Sequence, residues 1–322
     1  MSSLSGSKVL VTATSYASQD ERLRTVLEEK VGEVVYNTTG RPLSSSQLQE
    51  LLPNVDGMIA GLDEIDAAAL ASANKLKVVA RYGVGYDNVD LEAARLNHVT
   101  VTNTPGANSK SVAELTITLI LNLLRPVISA AQKTKQGEWP RFKGISLQGK
   151  TVGLVGCGAI GKDTARKLAG FDCEILAFDI DEDKIFASEY GVRYVPLEAL
   201  LAESDIVSLH LPGIPETSGL VNLDFIGKMK PGSFLINTAR GDLLDEDALA
   251  DALRSGYLRG AAVDVFKQEP PDADNPLLHL DQVIVTPHMG SHSDSATNAM
   301  GWMALEECLA VLQGKEPKYR IV

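Results

Sequence analysis

Three short stretches place groups able to move a proton or grip an anion directly after apolar runs. Arg240 stands in "LINTARGDLLDEDAL", Asp264 and Glu269 in "AAVDVFKQEPP", and His288 in "QVIVTPHMGSHSD". An imidazole supported by a carboxylate can give or take a proton, and a guanidinium can hold a carboxylate and polarise a carbonyl. Together they point to acid–base chemistry on a carbonyl: His288 handles the proton, Glu269 raises and orients it, and Arg240 holds the substrate. Each has a plainer alternative. The Arg could pair with a nearby acid, the Glu could be a solvated loop residue before two prolines, and the His could cap the following helix.

A second constellation lies between them and the amino terminus. Residues 150–179 read "KTVGLVGCGAIGKDTARKLAGFDCEILAFD": an apolar run, the turn Gly156-Cys157-Gly158-Ala159-Ile160-Gly161, a helical pattern, and a second apolar run ending in Asp179. This is the pattern of a dinucleotide-binding βαβ unit. Gly156 permits the tight turn, Gly158 lets backbone approach a pyrophosphate, and Gly161 lets helix and strand pack closely. A helix starting at Ala159 offers free N–H groups to the phosphates. Asp179 would accept hydrogen bonds from the ribose hydroxyls and repel a 2′-phosphate, so NAD is favoured and NADP disfavoured. Ile180 follows, not an arginine that could receive that phosphate. His210 in "SLHLP" is a candidate for the cofactor groove, whereas His98, His279 and His292 read as structural or surface residues.

The elements that must position these residues alternate short β-like runs with helical patterns, the signature of a parallel α/β fold. Five strand-like runs precede residue 104: "KVLVTA", "EVVYN", "GMIAG", "KVVAR" and "VTVTN". Six more follow residue 150: "TVGLVG", "EILAFD", "DIVSLHL", "SFLINTA", "GAAVDVF" and "QVIVTPH". Between them, "SKSVAELTITLILNLLRPVISAAQKTKQGEW" has helical spacing, with Ser109 or Ser111 as possible cap and a kink or break at Pro126. A helix apolar on several faces wants burial, and a second subunit is one way to provide it. A last helix, "SDSATNAMGWMALEECLAVLQG", ends at Gly314.

The chain has 322 residues, enough for two domains, and a formal net charge of −12. That charge argues against nonspecific binding to nucleic acid or anionic membranes, and an anionic substrate would need a local positive site. The start "MSSLSGSKVLVTAT" lacks a signal peptide's apolar region, and "LTITLILNLL" is too short and too interrupted to span a bilayer. Cys157, Cys173 and Cys308 lack metal-ligand spacing, so no metal site is expected. They read as reduced thiols in a cytoplasmic protein.

Across roughly residues 75–295, the blocks "RYGVGYDNVDLEAA", "NTPGANSKSVAEL", "VGCGAIGK", "SLHLPGIPETSGLVN", "KPGSFLINTARGDLLDEDAL", "AAVDVFKQEPP" and "NPLLHLDQVIVTPHMG" follow in order. The chain thereby resembles the D-isomer-specific 2-hydroxyacid dehydrogenases, which include phosphoglycerate dehydrogenase and the glyoxylate and hydroxypyruvate reductases. The resemblance implies two doubly wound parallel-sheet domains, with a Rossmann NAD-binding domain (104–290) inserted into a flavodoxin-like substrate domain (1–103 and 291–322). It also implies a homodimer built by the kinked helix. Arg240, Glu269 and His288 fall on the family's catalytic positions. Val84 and Gly85 would offer backbone N–H groups to the substrate carboxylate beside Arg240, and Ala159 and Ile160 would meet the pyrophosphate. Thr238 and Ala239 would lie along the nicotinamide and Asp264 would accept from its carboxamide. His210, Pro212, Thr217 and Gly290 complete the implied cofactor contacts.

The implied reaction interconverts a D-2-hydroxyacid and its 2-oxoacid with NAD. Formate-oxidising relatives carry Gln where Glu269 stands, which argues for a hydroxyacid. The chain's end, "GKEPKYRIV", leads to no expectation of serine control. Relatives that take phosphoglycerate commonly show an Arg-Ser pair near the third strand. Here that place reads "IAGLDEIDAAAL", where Asp63 and Glu64 would repel a phosphate and Arg81 could compensate in part. Phosphoglycerate, glycerate/hydroxypyruvate and glycolate/glyoxylate stand as candidates. An NAD(H)-binding sensor or corepressor of the same fold is the alternative.

Overall fold

The computed structural model describes residues 4–322 and separates into two compact units. One runs to Asn108 and resumes at His292–Val322; the other is Ser109–Ser291. In the first, β1 (Leu4–Val11), β2 (Val31–Tyr36), β3 (Gly57–Ala60), β4 (Val78–Arg81) and β5 (Thr100–Thr102) form a parallel sheet ordered β2-β1-β3-β4-β5. This is the flavodoxin-like order. Every residue of β3 and β4 is buried, because helices cover both faces of the sheet. That is why these strands read as continuous apolar runs, not as an alternation. The closing helix Asp294–Leu312 lays Leu305, Cys308 and Leu312 against Val9, Ile59 and Val78 of one face.

In the second unit, β6 (Thr151–Val155), β7 (Glu174–Phe178), β8 (Val192–Tyr194), β9 (Ile206–Leu209), β10 (Phe234–Asn237), β11 (Gly260–Val263) and β12 (Val283–Val285) form a seven-stranded parallel sheet. Its order is β12-β11-β10-β9-β6-β7-β8, so the winding reverses between β6 and β9. Ligands of open α/β sheets bind outside the carboxyl ends of the strands at such a switch point. The six expected strands are all present. The seventh, β8, is a three-residue edge strand after Gly191 with an exposed Arg193, too short and too polar to register as an apolar run.

Helix Ser109–Leu124 packs Ile117, Ile120 and Leu124 into the core beside Leu154 and Ile236. The chain breaks at Pro126, and the next helix, Val127–Lys135, leaves at 65° with no buried residue. Proline cannot supply the N–H that would continue the first helix. Among the described residues no single helix is long and apolar enough to cross a membrane.

Candidate active site

Because β6 to β12 all run parallel, their carboxyl ends share one edge, and the glycine turn, Asp179, His210, Arg240, Asp264 and His288 all lie there. The turn leaves β6 with Gly156 at φ +95°, and its N–H donates to Phe178 O at 2.8 Å, tying the loop to β7. A Cβ on Gly156 would lie 2.7 Å from His210 O, and one on Gly161 2.4 Å from Gly156 O. A Cβ on Gly158 would meet nothing within 4 Å. Packing therefore demands two of the glycines, while the third faces open space where phosphates can approach. Gly158 is the N-cap of helix Ala159–Leu168, and no side chain caps that first turn. The N–H groups of Ala159 and Ile160 are thus available to an anion.

This contrast is testable. Gly161→Ala should lower thermal stability, because the methyl collides with backbone. Gly158→Ala should fold normally yet weaken NADH binding measured by fluorescence titration. Equal stability losses in the two variants would contradict the assignment.

Asp179 accepts the Cys157 N–H at 2.5 Å through Oδ2 and the Asp181 N–H at 3.1 Å through Oδ1, so it braces the glycine turn from the end of β7. His210 sits at the end of β9 with Nε2 3.0 Å from Ser208 Oγ, and its Nδ1 is shut off from solvent without a hydrogen-bond partner. The residue as a whole is only partly buried, yet burial of the ring pushes its pKa down to about 4 and keeps it neutral near pH 7. An unsatisfied buried nitrogen beside the switch point is a group that a bound nucleotide could satisfy. Pro212 and Thr217 belong to one turn, in which Thr217 Oγ1 donates to Pro212 O at 2.6 Å.

The proton-handling pair is formed. His288 Nδ1 lies 2.6 Å from Glu269 Oε2, and Glu269 Oε1 accepts the Phe266 N–H at 3.0 Å. With the carboxylate anchored on one side, Nδ1 is the donor to Glu269, which leaves Nε2 as the ring's second proton-exchanging nitrogen. Neither plainer alternative holds here. Glu269, though exposed, is hydrogen-bonded to both His288 and Phe266 N, and the helix after His288 is capped by Ser293.

His288 itself is left-handed, at φ +49°, and Asp264 holds the turn that contains it. The buried Asp264 carboxylate accepts from Thr286 Oγ1 at 2.6 Å, Met289 N at 3.0 Å and Gly290 N at 2.9 Å, while its main-chain carbonyl accepts from His288 N at 2.8 Å. A carboxylate offers about four lone-pair sites, so room for one more donor remains. Gly290 O in turn accepts from Ser111 Oγ at 2.7 Å.

At the end of β10, Asn237 bonds both Arg240 O, at 2.8 Å, and Ala239 N, at 3.1 Å, fixing the turn. Arg240 is partly exposed, and its stem passes where Gly213 leaves room: a Cβ there would lie 3.0 Å from Arg240 Cγ. Ala239 and Thr238 are buried, and Thr238 Oγ1 meets Thr116 Oγ1 at 2.9 Å. Sequence reasoning missed Thr116 and Thr286, and it read Ser111 only as a possible cap of the helix that in fact contains it. They are hydroxyls in helical or strand patterns, and nothing in their spacing marks them.

In the first unit, Val84 and Gly85 lie in the loop after β4 and are partly exposed. Arg81, considered above as a phosphate ligand, is instead 3% exposed; it donates from Nε to Gly85 O at 3.0 Å and from Nη1 to Ala60 O at 2.7 Å and to Gly61 O. Asp63 is also internal: it accepts from Leu43 N at 2.8 Å and from Thr12 Oγ1, and Glu64 accepts from Ser45 N at 3.1 Å. The acidic stretch is thus bonded into its own unit.

Comparison with known proteins agrees with this geometry. Residues 117–290 match the family model described as D-isomer specific 2-hydroxyacid dehydrogenase, NAD binding domain. A glyoxylate reductase of Korarchaeum cryptofilum is 38% identical over 283 residues, covering 86% of this chain and 85% of that protein. A D-3-phosphoglycerate dehydrogenase of Mycobacterium leprae is 41% identical over 273 residues, covering 84% of this chain but 52% of that longer protein. The crystal structure of a Thermus thermophilus protein, TT0316, superposes with a TM-score of 0.87 at 38% identity, over 98% of this chain and 100% of the other. With the dinucleotide turn, the His–Glu pair and two parallel-sheet units in place, the chain belongs to the D-isomer-specific 2-hydroxyacid dehydrogenases, a family whose matched domain binds NAD.

Proposed function

We propose that the protein is an NAD-dependent D-2-hydroxyacid dehydrogenase whose proton-transferring group is His288. The observation that carries this reading is the His288–Glu269 pair at 2.6 Å, on the sheet edge that also bears the glycine turn. In the reductive direction, protonated His288 donates from Nε2 to the carbonyl oxygen of a 2-oxoacid. Glu269 holds the ring in place through Nδ1. Arg240 binds the carboxylate and polarises the carbonyl, and the Val84 and Gly85 amides are further donors for a carboxylate. The hydride for the carbonyl carbon would come from NADH when it is bound. The turn Gly156–Gly161, Asp179, His210, Pro212, Thr217, Thr238, Ala239, Asp264 and Gly290 would hold that cofactor.

Asp179 sets the preference for NAD over NADP, through like-charge repulsion of the extra phosphate. Asp179→Ala should raise the ratio of kcat/KM for NADPH to that for NADH by roughly tenfold or more. An unchanged ratio would remove Asp179 from the ribose site.

Among substrates, small unphosphorylated oxoacids such as glyoxylate and hydroxypyruvate fit best, because the buried Arg81 donates to main-chain carbonyls at Gly85 and at the end of β3. Steady-state reduction of glyoxylate, hydroxypyruvate and phosphohydroxypyruvate by NADH tests this. A large advantage for the phosphorylated substrate would contradict it.

The chain acts as a homodimer in the cytoplasm on this reading. The exposed Val127, Ile128, Trp139 and Phe142, on and after a helix with no buried residue, are covered by a second copy. The free thiols Cys157, Cys173 and Cys308 suit a reducing compartment.

A further inference from the structure

We infer that Asn103 is a positioning residue that turns the Val84 and Gly85 amides outward and so builds the carboxylate-binding loop. This rests on the reading of those two amides as donors to the substrate carboxylate.

The argument is one of peptide geometry. In a planar trans peptide the C=O of one residue and the N–H of the next point in opposite directions. The carbonyl of Val84 therefore shares a plane with the N–H of Gly85, and the carbonyl of Gly83 shares one with the N–H of Val84. Asn103 Nδ2 donates to Val84 O at 2.7 Å, and the next residue, Thr104, donates its N–H to Gly83 O at 3.0 Å. Both carbonyls are thus drawn toward the same two residues at the end of β5, the strand beside β4. Both N–H groups must then leave on the opposite side. There neither forms a hydrogen bond among the described residues. From the other end, Arg81 Nε holds Gly85 O at 3.0 Å and stops the loop from rotating back.

Asn103 is suited to this task because it is 7% exposed and its amide is a donor that carries no charge. An aspartate of the same shape could not donate to Val84 O and would repel that carbonyl, so the Val84–Gly85 peptide would lose its fixed orientation. Thr104 acts through its main chain, which any residue but proline supplies. The side chain that can be tested is therefore that of Asn103. The stretch "NTPGANSKSVAEL" gives no local mark of this role, since nothing in one sequence says that an Asn faces a carbonyl nineteen residues earlier.

The test compares glyoxylate with its methyl ester, which lacks the carboxylate, as substrates of the full-length wild type, Asn103→Ala and Asn103→Asp. Wild type should prefer the acid strongly. Both variants should raise KM for glyoxylate by roughly 10–100-fold, the scale of a misplaced binding group. KM for the ester and the dissociation constant for NADH should stay put. Asn103→Asp preserves shape and volume, so it remains informative if the alanine variant fails to fold. Folded variants that discriminate acid from ester as wild type does would overturn the role of Asn103 while leaving the two amides in place. A wild type that does not discriminate would overturn the carboxylate site itself, and the inference with it.

Discussion

Replacing His288 with alanine is expected to lower kcat for oxoacid reduction by roughly 10²–10⁴-fold, the usual contribution of a positioned general acid, while NADH affinity is unchanged. The expectation follows from how completely the ring is specified. Glu269 is held by Phe266 N and fixes Nδ1, and the Asp264 clamp on Thr286, Met289 and Gly290 fixes the backbone from which the ring projects. His288→Asn would leave a polar group in place but no titratable nitrogen, so it should behave like alanine. Single-turnover measurements with saturating NADH separate this loss from any change in binding. A variant that keeps near-normal turnover would mean that another group, or water, delivers the proton.

The second large effect is expected at Arg240. Arg240→Lys keeps the charge but loses the planar fork that grips a carboxylate with two parallel bonds. Since a hydrogen bond to a charged partner contributes about 1.5–3 kcal/mol, kcat/KM should fall roughly 10–100-fold, and Arg240→Ala should fall further. NADH binding should be spared in both. A comparable collapse of NADH affinity would place Arg240 in the cofactor site instead. The residue sits on a turn braced by Asn237, and its Nη1 donates to Ala239 O at 2.7 Å.

Much of this arrangement was legible in the sequence because it depends on local pattern. Buried parallel strands give apolar runs, and a polar residue after such a run lies at the carboxyl edge of a sheet. Arg240, Asp264, His288 and Asp179 could be found by that logic. Pro126 likewise marked the break between helices Ser109–Leu124 and Val127–Lys135.

Long-range partnerships were not legible. The bond from Asn103 to Val84 O, the Thr116–Thr238 hydroxyl pair, and the bond from Ser111 to Gly290 O connect residues 19, 122 and 179 positions apart, and no periodicity encodes them. Arg81 is a further case: its match to a basic position of phosphoglycerate-using relatives says nothing of the carbonyls at the end of β3 to which it donates. Edge strand β8 escaped because three residues with one exposed Arg give no hydrophobic signal.

The most direct test of the central claim is the chirality of the product formed from hydroxypyruvate and NADH by the purified protein. The account predicts D-glycerate alone, formed at the rate of NADH consumption and lost in His288→Ala. L-glycerate, a racemic product, or tight NADH binding without turnover of any 2-oxoacid would contradict it, and the last outcome would favour a cofactor-sensing role for the same fold.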